Sequence, residues 1–211
     1  DKTYAFVHDG IMLVADDLTL YTASAVNALY GSYVLGSTSF VLSDGKLVIV
    51  KAGVTGTAQN LTLVYADEIL SFVAGDLTFA PANDRMTVTG YVSEVTGKAD
   101  TLNLFSAAEL ATVIAALKGD WMARSTGGVK YASLKMSFTA DGVLSFDGKT
   151  SAYEFGFDSN GAIVLNAKCL YEGKVGQITV TPRANGLLST NGVGVGAMMP
   201  EALAESVGKY Y

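Results

Sequence analysis

The chain is poor in the residues that most metal sites and disulfide frameworks require. Its 211 residues include one cysteine, Cys169, and one histidine, His8. A single cysteine excludes an internal disulfide framework, and together with a single histidine it leaves no cluster of soft metal ligands. The sequence therefore predicts no metal site, and we expect no cofactor.

Charge is also scarce. Only 16% of the residues are charged, against roughly a quarter in an average soluble domain. The net charge is −6 and the 14 Lys and Arg residues are scattered singly, so no basic stripe can neutralise phosphates and we expect no nucleic-acid partner. Apolar runs such as KLVIVKAG and ATVIAAL end well before the ~18 residues of a membrane helix, so we expect no transmembrane segment.

Catalytic arrangements are equally lacking. His8 is the only imidazole available to activate a nucleophile, and its setting in FVHDG favours an exposed turn. Cys169 falls on a predicted strand, which favours an inert buried thiol. Asp16-Asp17, Asp67-Glu68 and Glu154 could supply paired carboxylates for glycoside hydrolysis, but adjacent carboxylates more often belong to solvated loops. We predict no catalytic residue and a non-enzymatic protein.

The sequence is rich in short β-like runs. Stretches of Val, Thr, Tyr and Phe alternate with turn pairs. Asp44-Gly45 and Asp141-Gly142 each separate two such runs and predict hairpins, because a type I′ turn needs positive φ at both central positions. Three prolines in the whole chain fit long paired strands. The predicted fold class is mainly antiparallel β.

Two segments interrupt the β pattern with helical periodicity, at 22–30 (TASAVNALY) and 106–118 (SAAELATVIAALK). In the second segment apolar residues recur at three- and four-residue steps, as on one face of a helix. Ser106 followed by Glu109 predicts a capping box at its start.

An internal repeat follows these helices. Each one ends in glycine, any residue and an aromatic, and ESVGKYY near the end of the sequence adds a third copy. The glycines are about 88 residues apart, which indicates tandem repeats. The motif residues are Gly31, Tyr33, Gly119, Trp121, Gly208 and Tyr210.

Short alternating runs precede both helices, LTLY at 18–21 and LNLF at 102–105, and MTVT at 86–89 resembles ITVT at 178–181. These matches predict the organisation of the chain. We expect an extra strand–helix segment at 1–30, a first repeat at 31–118, and a second repeat at 119–211 that ends in the third copy of the motif.

The glycine run STNGVGVGAMMPEALAES at 189–206 invites comparison with a phosphate-binding loop. A dinucleotide fingerprint requires a parallel βαβ unit and an acidic residue about 20 positions further on. Here VGAM at 195–198 takes the place of LTLY instead. We therefore expect Gly194 and Gly196 on or beside a third closing strand, where glycine allows bending or close backbone approach.

A short helix followed by Gly-x-Trp and a meander of hairpins, seen in LKGDW and FTADGVLSF, resembles the lipocalin-like, calycin-like exported proteins of Bacteroidetes, which are mostly uncharacterised. The resemblance implies an antiparallel barrel or sandwich; whether the repeats form one shared barrel or two small ones stays open. It also implies that Arg183 lies across the Trp121 ring, as a cation–π partner, with Arg85 as the counterpart for Tyr33.

The first residue, Asp1, suggests that a signal or lipoprotein leader was removed. We therefore expect export to the periplasm, the outer membrane or the extracellular space, with any lipid anchor lost together with the leader.

Two function classes remain. The chain has 11 Tyr, 9 Phe and one Trp, which could enclose an apolar molecule or stack on sugars, or could form cross-strand pairs inside the fold. The first hypothesis is a non-enzymatic exported protein that binds a small apolar or carbohydrate ligand, or a protein partner, at the cell envelope. The alternative is a structural or adhesion repeat module without a ligand cavity. An enclosed apolar cavity would favour the first hypothesis, and two solid cores with an exposed apolar patch would favour the second.

Overall fold

A computed structural model describes residues 7–9, 12–15, 18–125, 131–171, 174–192, 195–201 and 203. These residues form a mainly antiparallel β protein with a sheet curled into a half-barrel, which confirms the predicted β fold class. Within these ranges, no helix has both the length and the apolar character needed to cross a membrane.

The chain begins with a small sheet and a short helix. Strands β1 (Val7–Asp9), β2 (Met12–Ala15) and β3 (Leu18–Tyr21) pair in that order. Helix α1 (Ala23–Asn27) follows directly. The Thr22 hydroxyl accepts a hydrogen bond from the Ala25 N–H at 3.3 Å and so caps the helix. The first predicted helix is confirmed, in a shorter form.

Two sheets make up the first half of the molecule. One has the order β4-β5-β6-β7, with β8 also paired to β6, and the other has the order β13-β12-β11-β10-β9. The strands are β4 (Gly31–Val34), β5 (Thr38–Ser43), β6 (Lys46–Lys51), β7 (Val54–Thr55), β8 (Gln59–Asn60), β9 (Thr62–Ala66), β10 (Ile69–Ala74), β11 (Leu77–Ala82), β12 (Arg85–Thr89) and β13 (Leu102–Asn103).

A bridge between Val34 and Phe105 links these two sheets. Val34 at the end of β4 and Phe105 exchange both backbone hydrogen bonds, with N–O distances of 2.7 and 2.9 Å. Through this bridge the strand order reads β7-β6-β5-β4, then the segment after β13, then β12-β11-β10-β9.

Helix α2 (Ala107–Leu117) lies between the halves in sequence. Its capping box is complete: the Ser106 hydroxyl accepts from the Glu109 N–H, and the Glu109 carboxylate accepts from the Ser106 N–H at 2.8 Å. The second predicted helix and its cap are therefore confirmed.

The second half is the nine-stranded sheet formed by the described strands β14 to β22, in the order β17-β16-β15-β14-β22-β21-β20-β19-β18. The strands are β14 (Gly119–Ser125), β15 (Tyr131–Phe138), β16 (Leu144–Phe146), β17 (Lys149–Thr150), β18 (Tyr153–Phe157), β19 (Ile163–Tyr171), β20 (Lys174–Pro182), β21 (Leu188–Asn191) and β22 (Val195–Pro200).

Both predicted hairpins are present, with different turns. Asp44 and Gly45 join β5 to β6 with φ of 49° and 69°, as a type I′ turn requires. The other hairpin joins β15 to β16 through a longer loop in which Gly142 alone of the Asp141-Gly142 pair has positive φ. Its N–H donates to the Thr139 carbonyl at 3.1 Å.

The described part of the glycine run does not form a phosphate loop. Strand β22 includes Gly196 and pairs antiparallel with both β14 and β21, so no parallel βαβ unit surrounds it. A Cβ added at Gly192 would lie 2.2 Å from the Gln177 carbonyl oxygen, so glycine permits a close backbone approach there. Gly194 lies outside the described residues.

Two hydrophobic cores fill the two halves. Buried side chains of β5, β6 and β10 to β12 form the first core, with Leu29 from the turn after α1. The second core lies on the concave face of the nine-stranded sheet and includes Leu110 and Leu117 of α2, both 0% exposed. Each helix therefore packs against the half that follows it in sequence.

The halves join along a backbone seam. The Phe155 N–H donates to the Leu35 carbonyl at 2.6 Å, and the Ser37 N–H donates to the Tyr153 carbonyl at 3.0 Å. A Cβ added at Gly36 would lie 2.2 Å from that same Tyr153 oxygen. Only glycine fits this close contact.

Candidate functional site

The aromatic residue after each helix folds back onto the end of that helix. The Trp121 indole N–H donates to the Leu117 carbonyl at 2.8 Å, and the Tyr33 hydroxyl donates to the Leu29 carbonyl at 3.2 Å. Carbonyls at helix ends lack intrahelical partners. In both motifs the acceptor lies four residues earlier, so the two aromatic side chains perform the same structural task.

The motif glycines are required for different reasons. Gly119 has φ of 117°, a conformation that favours glycine, although an added Cβ would meet nothing within 4 Å. At Gly31 an added Cβ would lie 3.1 Å from the Tyr33 ring, so glycine makes room for the ring that folds over it. Glycine thus serves the local backbone geometry at Gly119 and the packing of the Tyr33 ring at Gly31.

Some predicted motif contacts stay predictions. Arg183 follows β20, and its guanidinium donates to the Ser189 hydroxyl at 2.9 Å. Its pairing with Trp121 is not among the cation–π contacts that the described residues show. Gly208 and Tyr210, the third copy of the motif, lie outside the described residues.

Arg85, expected near Tyr33, lies over the aromatic rings between the two halves. Its guanidinium carbon is 4.7 Å from the centroid of Phe157 and 5.5 Å from that of Phe105. It also forms an ion pair with Glu109 of the capping box. Arg85 therefore ties the start of α2 to the first half.

The aromatic side chains of the second core contact one another. Phe105 and Phe155 have centroids 6.4 Å apart, and Tyr153 lies 5.6 Å from Phe155 and 5.5 Å from Phe138. All four are at most 5% exposed. The concave face is thus occupied by these rings and by α2, which favours a role for these aromatic residues inside the fold, although their contacts do not join register partners on paired strands.

Within the described ranges, the candidate catalytic residues do not come together. Cys169 is 4% exposed, and burial raises the pKa of its thiol to about 11, so the reactive thiolate is scarce at neutral pH. Asp67-Glu68 forms the turn between β9 and β10. Among these ranges no three His, Cys, Asp or Glu residues are placed to hold a metal ion. Asp16-Asp17 and the His8 side chain lie outside the described residues.

Polar side chains gather instead on the outer face of the second half. Glu154 stands opposite Asn166, and Asn166 opposite Thr179, in register across β18, β19 and β20. The connection from β12 to β13, residues 90–101, lies over this face. A cleft of about 310 Å³ remains between them, and we call it the polar cleft. Its polar lining residues include Thr96, Asn103, Glu154, Asn166, Gln177 and Thr179.

Glu154 anchors the covering connection. It is 7% exposed, and its carboxylate accepts from the Ser93 hydroxyl at 2.6 Å and from the Glu94 N–H at 2.9 Å. The Glu94 carboxylate in turn pairs with the Lys51 ammonium at 2.9 Å. Donors therefore satisfy the buried carboxylate, as burial of a charge requires.

Sequence reasoning named Glu154 as a spare carboxylate but missed its setting. The available signal was its place in YEFGF, a charged residue between aromatic core residues on one strand. Strand alternation puts it on the opposite face from those rings. What covers that face depends on a segment about 60 residues earlier in the chain, which no local pattern reveals.

No family model matches the chain, and no curated protein or solved structure matches it significantly.

Proposed function

We propose that the chain is a non-enzymatic module of two tandem repeats, the second a half-barrel filled by α2, that binds its ligand or partner on outer surfaces. The observation that supports an outer rather than an inner binding surface is the position of α2: Leu110 and Leu117 occupy the concave face where a calycin-like barrel would hold a ligand. An apolar ligand inside the half-barrel would have to displace these side chains.

The shared strand order supports the repeat. In the second half β14 lies between β15 and β22. In the first half β4 lies between β5 and, through the Val34–Phe105 bridge, the segment after β13. Because each helix packs on the half that follows it, we place each repeat boundary before the helix rather than after it.

A cavity-forming variant tests the filled interior. Leu110→Ala should cost about 2–5 kcal/mol of unfolding free energy. The apolar cavity that it leaves should bind benzene, which NMR titration detects, whereas the wild type should bind none. Leu20→Ala is the matched control, because Leu20 is 44% exposed. Stoichiometric uptake of a fluorescent fatty-acid probe by the wild type would contradict the proposal.

Because of the lipocalin-like resemblance, we also propose that the protein is exported to the cell envelope. Cell fractionation of the natural full-length gene product, tagged at its carboxyl end, tests this part. Recovery in the periplasmic, outer-membrane or extracellular fraction is the expected result, and recovery with cytoplasmic proteins would contradict it.

The alternative of a structural or adhesion module is favoured by the two packed cores. Such a module predicts assembly of copies through their surfaces. Sedimentation velocity over a range of concentrations distinguishes the two: the binding module stays one species, and a structural module forms larger ones.

A further inference from the structure

The polar cleft has the character of a built site. Its floor is regular sheet, on which Glu154, Asn166 and Thr179 are fixed in register. Its roof is held at two points, by the Glu154 carboxylate on Ser93 and Glu94 and by the Gln177 side chain, whose amide donates to the Val95 carbonyl at 3.3 Å. Because both walls are tied down before any ligand arrives, binding would lose little free energy to ordering.

A glycine makes room at the floor of the cleft. Gly156 stands on the same face of β18 as Glu154, two residues further on. A Cβ at this position would lie 3.1 Å from the Asn166 amide nitrogen. Glycine therefore leaves the Asn166 side chain space to reach the cleft.

The hydrogen-bonding groups define the ligand's chemistry. The Thr179 hydroxyl donates to the Asn166 side-chain oxygen at 2.7 Å, which leaves the threonine oxygen as an acceptor and the Asn166 NH2 as a donor. The Glu154 oxygens each retain a lone pair. Donors and acceptors lie side by side, and this mixture matches hydroxyl groups, which both donate and accept.

The charge and the size of the polar cleft narrow the class of ligand further. Glu154 is the one charged side chain among the lining residues of the described cleft, so an anionic ligand would be repelled. A volume of about 310 Å³ is at the lower end of the range for ligand pockets. The opening therefore suits a molecule of about monosaccharide size.

We propose that the polar cleft between residues 95–103 and the outer face of β18 to β20 binds a small, neutral, polyhydroxylated molecule. This inference rests on the proposed function, in which ligands are held on outer surfaces. Asn166 and Thr179 orient the hydroxyl groups, and Glu154 accepts from one of them while it holds the roof in place.

The test is an NMR titration of the full chain with glucose, galactose, N-acetylglucosamine and myo-inositol, each at millimolar concentration. At least one of these probes should shift the amide signals of residues 95–103 and of β18 to β20. Glucuronate, a size-matched anion, should bind more weakly than glucose. No shift with any of the four neutral probes would overturn the inference.

Two threonines on one strand provide the matched variants. Thr179→Val removes a hydroxyl inside the cleft, and Thr181→Val removes one from the same face of β20 outside the lining. Loss of one ligand hydrogen bond should weaken binding about tenfold in the first variant and not in the second. Equal affinities would overturn the assignment to this cleft. The filled-interior test with Leu110→Ala is independent, so the proposed function can stand if this inference fails.

Discussion

The two halves follow one strand order but close it differently. In the second half β14 and β22 pair along five register positions, from Trp121–Pro200 to Ser125–Val195. In the first half β4 meets the segment after β13 at the Val34–Phe105 bridge. The two halves therefore differ in how continuous their sheets are.

The length of one connection explains this difference. Strands β21 and β22 are separated by residues 192–194, whereas residues 90–101 separate β12 from β13. This longer connection leaves its own sheet and covers the outer face of the other half, held there by Glu154. The same segment thus shortens the closing strand of the first half and forms the polar cleft on the second.

The largest contrast should come from the motif aromatics. Trp121 is 6% exposed and belongs to the second core, so Trp121→Ala should cost about 3–5 kcal/mol. Tyr33 is half-buried, and Tyr33→Ala should cost about 1–2 kcal/mol. Urea unfolding monitored by circular dichroism measures both.

Equal losses in the two variants would contradict the difference in packing. If Trp121→Ala does not fold, Trp121→Phe can be compared with the wild type instead. This variant removes the hydrogen bond to the Leu117 carbonyl, which should cost about 1 kcal/mol of unfolding free energy.

The seam should be the next most sensitive feature. Gly36→Ala forces a methyl group against the Tyr153 backbone, which cannot move as a flexible side chain can, so we expect a loss of about 3 kcal/mol. Gly148→Ala is the control, because an added Cβ there meets nothing and only the positive φ is strained, at about 1 kcal/mol. Similar losses at both positions would contradict the tight contact between the halves.

Alkaline pH should destabilise the second half through Tyr153. Burial raises the pKa of this phenol from 10.0 to about 12, so the unfolded chain loses the proton first. The contribution of neutral Tyr153 to the free energy of unfolding is fully present below pH 10. It is lost as the pH rises towards 12, and the loss is about 2 kcal/mol. Unfolding free energies of the wild type and Tyr153→Phe, measured from pH 8 upwards, check this. A wild-type curve that parallels the variant's would contradict it.

The smallest effect should be at the cap of α2. The Ser106 backbone N–H, the Ser106 hydroxyl and Arg85 hold the pKa of Glu109 below its usual range. The stabilisation is present above the unfolded pKa of about 4.3 and is lost as pH falls through the lower folded value. Because Glu109 is exposed, the difference between wild type and Glu109→Gln should be only a few tenths of a kcal/mol at pH 7. The difference should vanish in acid urea titrations, and a constant difference would contradict the capping account.

Local features of the fold could be predicted from sequence. The capping box of α2 and the Asp44-Gly45 turn each involve residues within four positions of each other. A short stretch of sequence is therefore enough to predict each of them. Alternation likewise marked runs that form strands, such as LTLY on β3 and the two runs that flank Asp44-Gly45 and form β5 and β6. These features depend little on the rest of the chain.

Features that join distant residues could not be predicted. Gly36 looks ordinary until Tyr153 packs against it, and Glu154 looks solvated until Ser93 covers it. Even similar segments misled: MTVT lies on β12, next to the closing strand, whereas ITVT lies on β20, one strand further away. The similarity of these two sequences reflects their strand propensity rather than an equivalent position in the two sheets.

The central claim is that α2 belongs to the half that follows it. Native-state hydrogen exchange of the full chain tests this with two matched core variants, Leu165→Ala in the second core and Leu42→Ala in the first, at 0% and 1% exposure. We expect the amide protection of residues 107–117 to fall in Leu165→Ala and to be retained in Leu42→Ala. Loss of that protection in Leu42→Ala, with retention in Leu165→Ala, would contradict it.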